Sequence, residues 1–286
     1  FGGGNKISDQ KTFAGYLKKY ETIIEDTSFG GNVHTFLKTS TSPIQINTSD
    51  SLKKLIEGGV SIMTFFGHAS GTGFDQSIDA PSAYNNKGKY PLLIANSCYA
   101  GDLHSNNLPS SSEAFVIIQD KGVIGYIGSI SVGIPNELDQ YTTQLYENIG
   151  RKYYGQSIGK CIQQAVAAIQ IYVPSDIYLK STCLEMTLHG DPSIILNSHR
   201  EPDYVITNSD VFFDTQSQVD SFTLYAGITN IGKAVNDSFI VEVIRTFPNG
   251  ENTTYLKRIS APYFKDTVSF KMPIDFVRGI GLNKFK

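Results

Sequence analysis

Two short apolar runs, each ending in a reactive side chain, constrain this chain more than any other feature. The first, residues 61–66 (Ser-Ile-Met-Thr-Phe-Phe), closes on Gly67-His68-Ala69-Ser70. The second, residues 91–97 (Pro-Leu-Leu-Ile-Ala-Asn-Ser), closes on Cys98-Tyr99-Ala100-Gly101. Runs this short, apolar throughout and bounded by Gly, Ser and Pro, predict strands buried on both faces of a parallel sheet. In open α/β sheets, ligands and chemistry sit beyond the carboxyl ends of the strands. His68 and Cys98 are therefore a candidate base and nucleophile.

The flanking segments supply the layers such a sheet needs. Phe13, Tyr16, Leu17, Tyr20, Ile23 and Ile24 recur at three- and four-residue steps, predicting a helix with Ser8 or Asp9 at its cap. Val33–Leu37 reads as a strand and 39–47 as a polar loop. Ser49 or Asp50 opens a short helix that Gly58-Gly59 ends. Residues 70–89 read as a surface loop, and a second polar loop follows Cys98. A helix then passes through Glu113, Ala114, Phe115 and Ile118. Val123–Ile127 is a further buried strand, leading into a loop at the same carboxyl edge. Leu138–Tyr153 and Ile158–Tyr172 are amphipathic helices, whereas Thr182–Leu188 fits either helix or strand. His189-Gly190-Asp191-Pro192 reads as a turn ahead of a strand at Ser193–Leu196.

Near Asn197–Pro202 the texture changes. Short alternating runs follow at Tyr204–Ile206, Val211–Phe213, Ser221–Ile228, Ser238–Arg245, Thr254–Ile259 and Thr267–Lys271, with turn signals between them. Regularly spaced short strands predict a β-sandwich of immunoglobulin type.

Composition narrows the function classes. A net charge of −3 without a basic cluster argues against a nucleic-acid partner. No tract approaches the roughly 18 apolar residues of a membrane span. Three cysteines are too few for a disulfide scaffold, although a Cys161–Cys183 bridge with Cys98 free is arithmetically open. No Cys/His spacing suggests zinc, so no metal or cofactor is expected. The chain opens on Phe1-Gly2-Gly3-Gly4 without Met, as if cut just after a strand.

The ordered motifs resemble the gingipain-like cysteine peptidases of family C25, which have a caspase-like fold. The likeness is carried by Gly67-His68-Ala69-Ser70 and Asn96-Ser97-Cys98-Tyr99-Ala100-Gly101. Ser112-Glu113-Ala114-Phe115, Gly128-Ser129-Ile130-Ser131 and Leu188-His189-Gly190-Asp191-Pro192-Ser193 complete it. The tail resembles CARDB-type immunoglobulin-like modules, with Asn230-Ile231-Gly232 as their Asn-x-Gly turn. The expected fold class is α/β: a caspase-like, mostly parallel sheet flanked by helices, followed by an all-β sandwich. The expected domains are 1–197, truncated upstream, and 202–286.

The resemblance implies a cysteine endopeptidase with Cys98 as nucleophile and His68 as general acid/base. It also implies an oxyanion hole of the Cys98 and Ala69 backbone N–H groups, and a substrate wall at Ser129, Ile130, Ser131 and Val132. A polypeptide substrate and a secreted or bacterial cell-surface location follow from the same likeness. Three departures stand out: Ala69 where the family has Gly, Ser97 where many members have Ala, and Phe1 where an acid precedes Gly-Gly. The third catalytic acid is therefore unassigned. Asp9 reads as a helix-start carboxylate, while Asp75, Asp102 and His104 read as solvated loop residues. A catalytically degenerate peptidase fold serving as a surface or adhesion scaffold is the alternative, and processing of the protein's own precursor is a third.

Overall fold

The computed structural model describes residues 1–26, 28–43, 49–70, 73–76, 80–104, 111–172, 174–214 and 220–286. The polar loops expected over 39–47, 70–89 and after Cys98 lie partly outside these residues. The chain divides into two compact units, one of residues 1–24 and 33–198, the other of residues 25–32 and 199–286.

The first unit is built on β1 (Ile62–Phe66), β4 (Leu92–Asn96), β5 (Gly125–Ser129) and β6 (Met186–Gly190), adjacent in that order. A small hairpin, β2 (Ala69–Ser70) with β3 (Gly73–Phe74), follows β1 directly. β1, β4 and β5 are parallel, and β6 closes the edge antiparallel. Every residue of β4 and β5 is buried, as a sheet covered on both faces requires.

The two faces have different coverings. Met63, Phe65, Leu93, Ala95 and Tyr126 form one cluster with Leu52 and Ile56 of α2 (Ser49–Gly58) and Phe115 of α3 (Ser111–Ile117). On the other face, Phe66 meets Phe13 and Tyr16 of α1 (Ile7–Glu25), with ring centroids 5.0 Å apart in each pair. Thr64 bonds to Tyr146 of α4 (Pro135–Glu147), and Thr142 of α4 donates to Asn96 Oδ1 at 2.5 Å. A π-helical turn (Asn148–Lys152) links α4 toward α5 (Ile158–Tyr172), and α6 (Ile177–Glu185) runs straight into β6.

Several expectations change. Val33–Leu37 forms no strand; it contributes one bridge, between Leu37 and Gly2, and Gly2 also bridges Phe66. The last strand of the sheet is Met186–Gly190 and not Ser193–Leu196, because His189 pairs with Tyr126 before the turn begins. Asp191 then accepts from Ser193 N–H at 2.8 Å, the expected turn. Cys161 and Cys183 are free rather than bridged.

His189 carries a measurable consequence. Its ring stacks on Tyr126 with centroids 6.0 Å apart, and Nε2 pairs with the Thr187 hydroxyl at 2.9 Å. Burial pulls its pKa below the ordinary value, against the opposing pull of Glu113. Below about pH 6.5 the unfolded chain takes up a proton that the folded chain refuses. The stability contributed by a neutral His189 is therefore present above that pH and lost as pH falls toward the depressed folded value. The expected result is a wild-type urea midpoint that falls more steeply on acidification than that of His189→Gln. A pH-independent difference between the two midpoints would contradict this.

The second unit contains two antiparallel sheets. One joins β11 (Asn252–Ser260), β10 (Ser238–Thr246) and β13 (Lys284–Phe285). The other joins β12 (Lys265–Pro273), β9 (Ser221–Asn230) and β7 (Tyr204–Val205), with β8 (Val211–Phe213) also on β9. Leu224, Ile228, Val241, Val243, Val268 and Phe270 form their shared core. Asn230 fixes its turn with its own amide: Oδ1 accepts from Gly232 and Asp203 N–H, each at 3.0 Å.

Candidate active site

The site begins with the register of β1 on β4. Phe66 is paired with Asn96, so His68 and Cys98 each stand two residues past one matched position on neighbouring parallel strands, whose spacing is about 4.8 Å. The pairing continues beyond the strands. Gly67 N–H donates to Asn96 O at 3.3 Å, and the Ser97 hydroxyl donates to Gly67 O at 2.8 Å. Ser97 thus uses the oxygen that an alanine would lack to tie the cysteine turn to the histidine turn.

Cys98 is half-buried, and its thiol donates to Gly133 O at 3.6 Å. The next residue, Tyr99, has φ 52°, the left-handed region that costs a non-glycine residue roughly 1–2 kcal/mol. Backbone strain of this kind clusters where a side chain must be presented. Two bonds hold the turn against the end of β5 and the residues after it: Tyr99 N–H to Ser131 O and Gly101 N–H to Ser129 O, both 2.8 Å. Gly101 is obligatory, since a Cβ there would lie 2.6 Å from Gly128 O.

The expected substrate wall divides accordingly. Val132 is 54 % exposed, whereas Ser129 is 1 % exposed. The Ser129 hydroxyl donates to Ser131 O and accepts from Ser131 N–H, each at 3.1 Å. The Ser129 side chain is therefore a buried brace for Ser131. Ile130 N–H is bonded to Glu185 O at 3.0 Å, and the Ile130 and Ser131 side chains are half-buried.

His68 is held at its backbone and left exposed at its ring. Its N–H donates to Asp75 Oδ1 at 3.2 Å, and its carbonyl accepts from Asp75 N–H at 2.8 Å. The ring meets Phe13 edge-on at 5.8 Å and presents Nε2 to Asp9 Oδ2 at 3.4 Å. An ionised carboxylate only accepts, so this contact selects the tautomer with its proton on Nε2 and leaves the lone pair on Nδ1. Asp9 sits in the first turn of α1, where the sequence put it, but its carboxylate also faces the imidazole. It is the carboxylate that the structure sets against the His68 ring.

Ala69 follows His68 into the hairpin. Ala69 is opposite Phe74, and the bonded position is its neighbour, His68 with Asp75. Bonded and non-bonded pairs alternate in antiparallel ladders, so the Ala69 N–H points away from β3.

Of the other polar residues expected in solvated loops, Asp102 accepts from His104 N–H at 2.8 Å and forms a local turn. Asp75 does not fit that expectation: it is 7 % exposed and faces Lys38, which is 2 % exposed. Asp139 is buried too, and is satisfied by Lys19 Nζ at 2.5 Å and Tyr20 O–H at 2.9 Å. Among the described residues no group of three His, Cys, Asp or Glu side chains could hold a metal ion, and no helix is long and apolar enough to cross a membrane.

A mostly parallel sheet with helices on both faces, and with Cys and His at adjacent strand ends, defines the class: cysteine peptidases of caspase-like fold. The chain belongs to peptidase family C25, whose model matches residues 4–197. Two solved structures share the fold. The complex of Porphyromonas gingivalis RgpB pro- and mature domains has a TM-score of 0.53 at 14% identity, over 96% of this chain and 65% of that one. The Arg specific cysteine proteinase gingipain R has a TM-score of 0.52 at 14% identity, over 96% of this chain and 64% of that one. This chain therefore spans about two thirds of the length of either. No curated protein matches it at the sequence level.

Proposed function

We propose that the first unit is a cysteine endopeptidase domain acting through Cys98, His68 and Asp9. The observation that carries this reading is the Asp9–His68 contact at 3.4 Å, beside a cysteine at the matched position of the next strand. Free thiols are only a few per cent ionised at neutral pH and need a neighbouring imidazole. His68 Nδ1 takes the thiol proton as Cys98 Sγ attacks the scissile carbonyl carbon. The same proton passes to the leaving amine as the C–N bond breaks, giving a thioester. Water, deprotonated by His68, then hydrolyses the thioester and restores the thiol. Developing charge on the carbonyl oxygen is met by the backbone N–H groups of Cys98 and Ala69; the outward direction of the Ala69 N–H supports that role.

The same proposal extends to the rest of the chain. The peptidase domain is 1–197, and 202–286 is an immunoglobulin-like module of CARDB type, supported by its two antiparallel sheets and Asn230-fixed turn. The protein acts on polypeptides in a secreted or bacterial cell-surface setting, as the family suggests. The Arg preference of gingipain R is not carried over: Asp139, an acid near the wall, already has Lys19 and Tyr20 as partners.

The test is labelling with a mixed-sequence peptidyl acyloxymethyl ketone, read by mass spectrometry. Cys98 is expected to be modified. Cys161 and Cys183 are expected to stay unmodified, because burial pushes both thiols up to about 11. Equal labelling of wild type and Cys98→Ala would sink the assignment. A Cys98 inert in the folded wild type would favour the degenerate-scaffold reading.

A further inference from the structure

One heavily partnered carboxylate beside His68 is neither Asp9 nor any residue of the proposed chemistry. It is Asp75, just past β3. Its Oδ2 accepts from Gly4 N–H at 2.7 Å, and its Oδ1 accepts from His68 N–H at 3.2 Å. Glycines from two separate segments make room for it. A Cβ on Gly3 would lie 2.0 Å from Asp75 Oδ1, and one on Gly67 2.7 Å from the same atom. Lys38 Nζ stands 3.5 Å away, its side chain fully buried, and also donates to Asn5 Oδ1 at 2.5 Å and Pro43 O at 3.2 Å.

Gly4 and His68 are the backbone supports of the two members of the Asp9–His68 pair. Gly4 leads into α1, whose first turn carries Asp9, and Gln10 reaches back to Gly4 O at 3.0 Å. One buried carboxylate therefore holds both sides of that pair through main-chain N–H groups, and Lys38 neutralises it. A charge kept out of water is retained only where it is paired and hydrogen-bonded. Here its bonds go to the chain on either side of the imidazole. We propose that Asp75, neutralised by Lys38, is a positioning residue for His68: it fixes the main chain at His68 and Gly4 so that the imidazole meets Asp9 and serves Cys98.

This inference rests on the Cys98–His68 reading, and its test separates the two. Asp75→Asn alone leaves Lys38 charged and buried without its partner, so the useful variant is Lys38→Met/Asp75→Asn. It is neutral and keeps the shape, but it offers one acceptor oxygen where two N–H groups need one each. The measurement is the rate of Cys98 alkylation by iodoacetamide at pH 7, in a cycle of wild type, His68→Ala, the double variant and their combination. His68→Ala is expected to slow alkylation about tenfold. The double variant is expected to slow it by a similar factor, and the combination to be no slower than His68→Ala alone. If the double variant alkylates at the wild-type rate, or its loss multiplies with that of His68→Ala, Asp75 does not act through His68 and the proposal falls. If His68→Ala itself alkylates like wild type, the pairing of Cys98 with His68 fails first and takes the proposal with it.

Discussion

Cys98→Ala is expected to lower peptide hydrolysis by about 10⁶-fold, the scale seen when a covalent nucleophile is removed and only binding and fixed dipoles remain. Its stability should change by less than about 1 kcal/mol. The thiol is half-buried and makes one weak 3.6 Å bond to Gly133 O, and net contributions of such bonds are about 1 kcal/mol or less. Tyr99 N–H and Gly101 N–H keep the turn in place with main-chain bonds that do not involve the sulfur. Turnover of fluorescein-labelled casein, with urea unfolding of both proteins, checks the prediction. A variant that keeps even a hundredth of the wild-type rate at unchanged stability would mean that Cys98 is not the nucleophile.

Asp9→Asn is the second large effect expected. The amide keeps the size of the carboxylate but is neutral and can also donate, so it loses the acceptor-only group that holds the Nε2–H tautomer. A loss of about 10²–10³ in kcat with little change in KM follows. The lower end is reasonable because the contact is 3.4 Å long and the Asp9 side chain is 30% exposed. Substitution of a helix-start carboxylate alone would cost only about 0.3–1 kcal/mol of stability and no rate. Steady-state kinetics on the purified chain distinguishes the two roles: unchanged kcat would return Asp9 to a purely helical one.

The contrast between Asp9 and Cys98 shows what was legible in the residue order. β1, β4 and β5 were readable because burial on both faces leaves apolar runs that few other structures explain. The long helices were readable from their apolar stripes, and the second unit from alternation broken by turn residues. β6 was not: an antiparallel edge strand, it is buried only at Met186 and exposes Gly190. It also lacks the apolar run that marks its neighbours. Asp9 could be placed on a helix start, but its second role depends on how α1 docks, through Phe13 and Tyr16 against Phe66. That is a tertiary fact. Asp75 was hidden for a similar reason. The glycines that make room for it come from residues 3 and 67, and nothing local to Asp75 announces a charge destined for the interior. Lys38, whose partner is 37 positions away, gave no signal at all.

The end of β5 and the residues after it receive the cysteine turn's hydrogen bonds on main-chain oxygens. Ser129 O, Ser131 O and Gly133 O take its donors, while the Val132 side chain faces solvent. On the proposed reading that Val132 meets substrate, scaffold and selectivity are separable in the same few residues. Side chains at 132 can be exchanged for larger, smaller or charged ones without disturbing the atoms that hold the nucleophile. Under that proposal, a saturation library at that one codon is expected to change the profile of peptides cut from a mixed-sequence library while leaving Cys98 alkylation by iodoacetamide unchanged. The same library at 101 would be expected to return glycine alone.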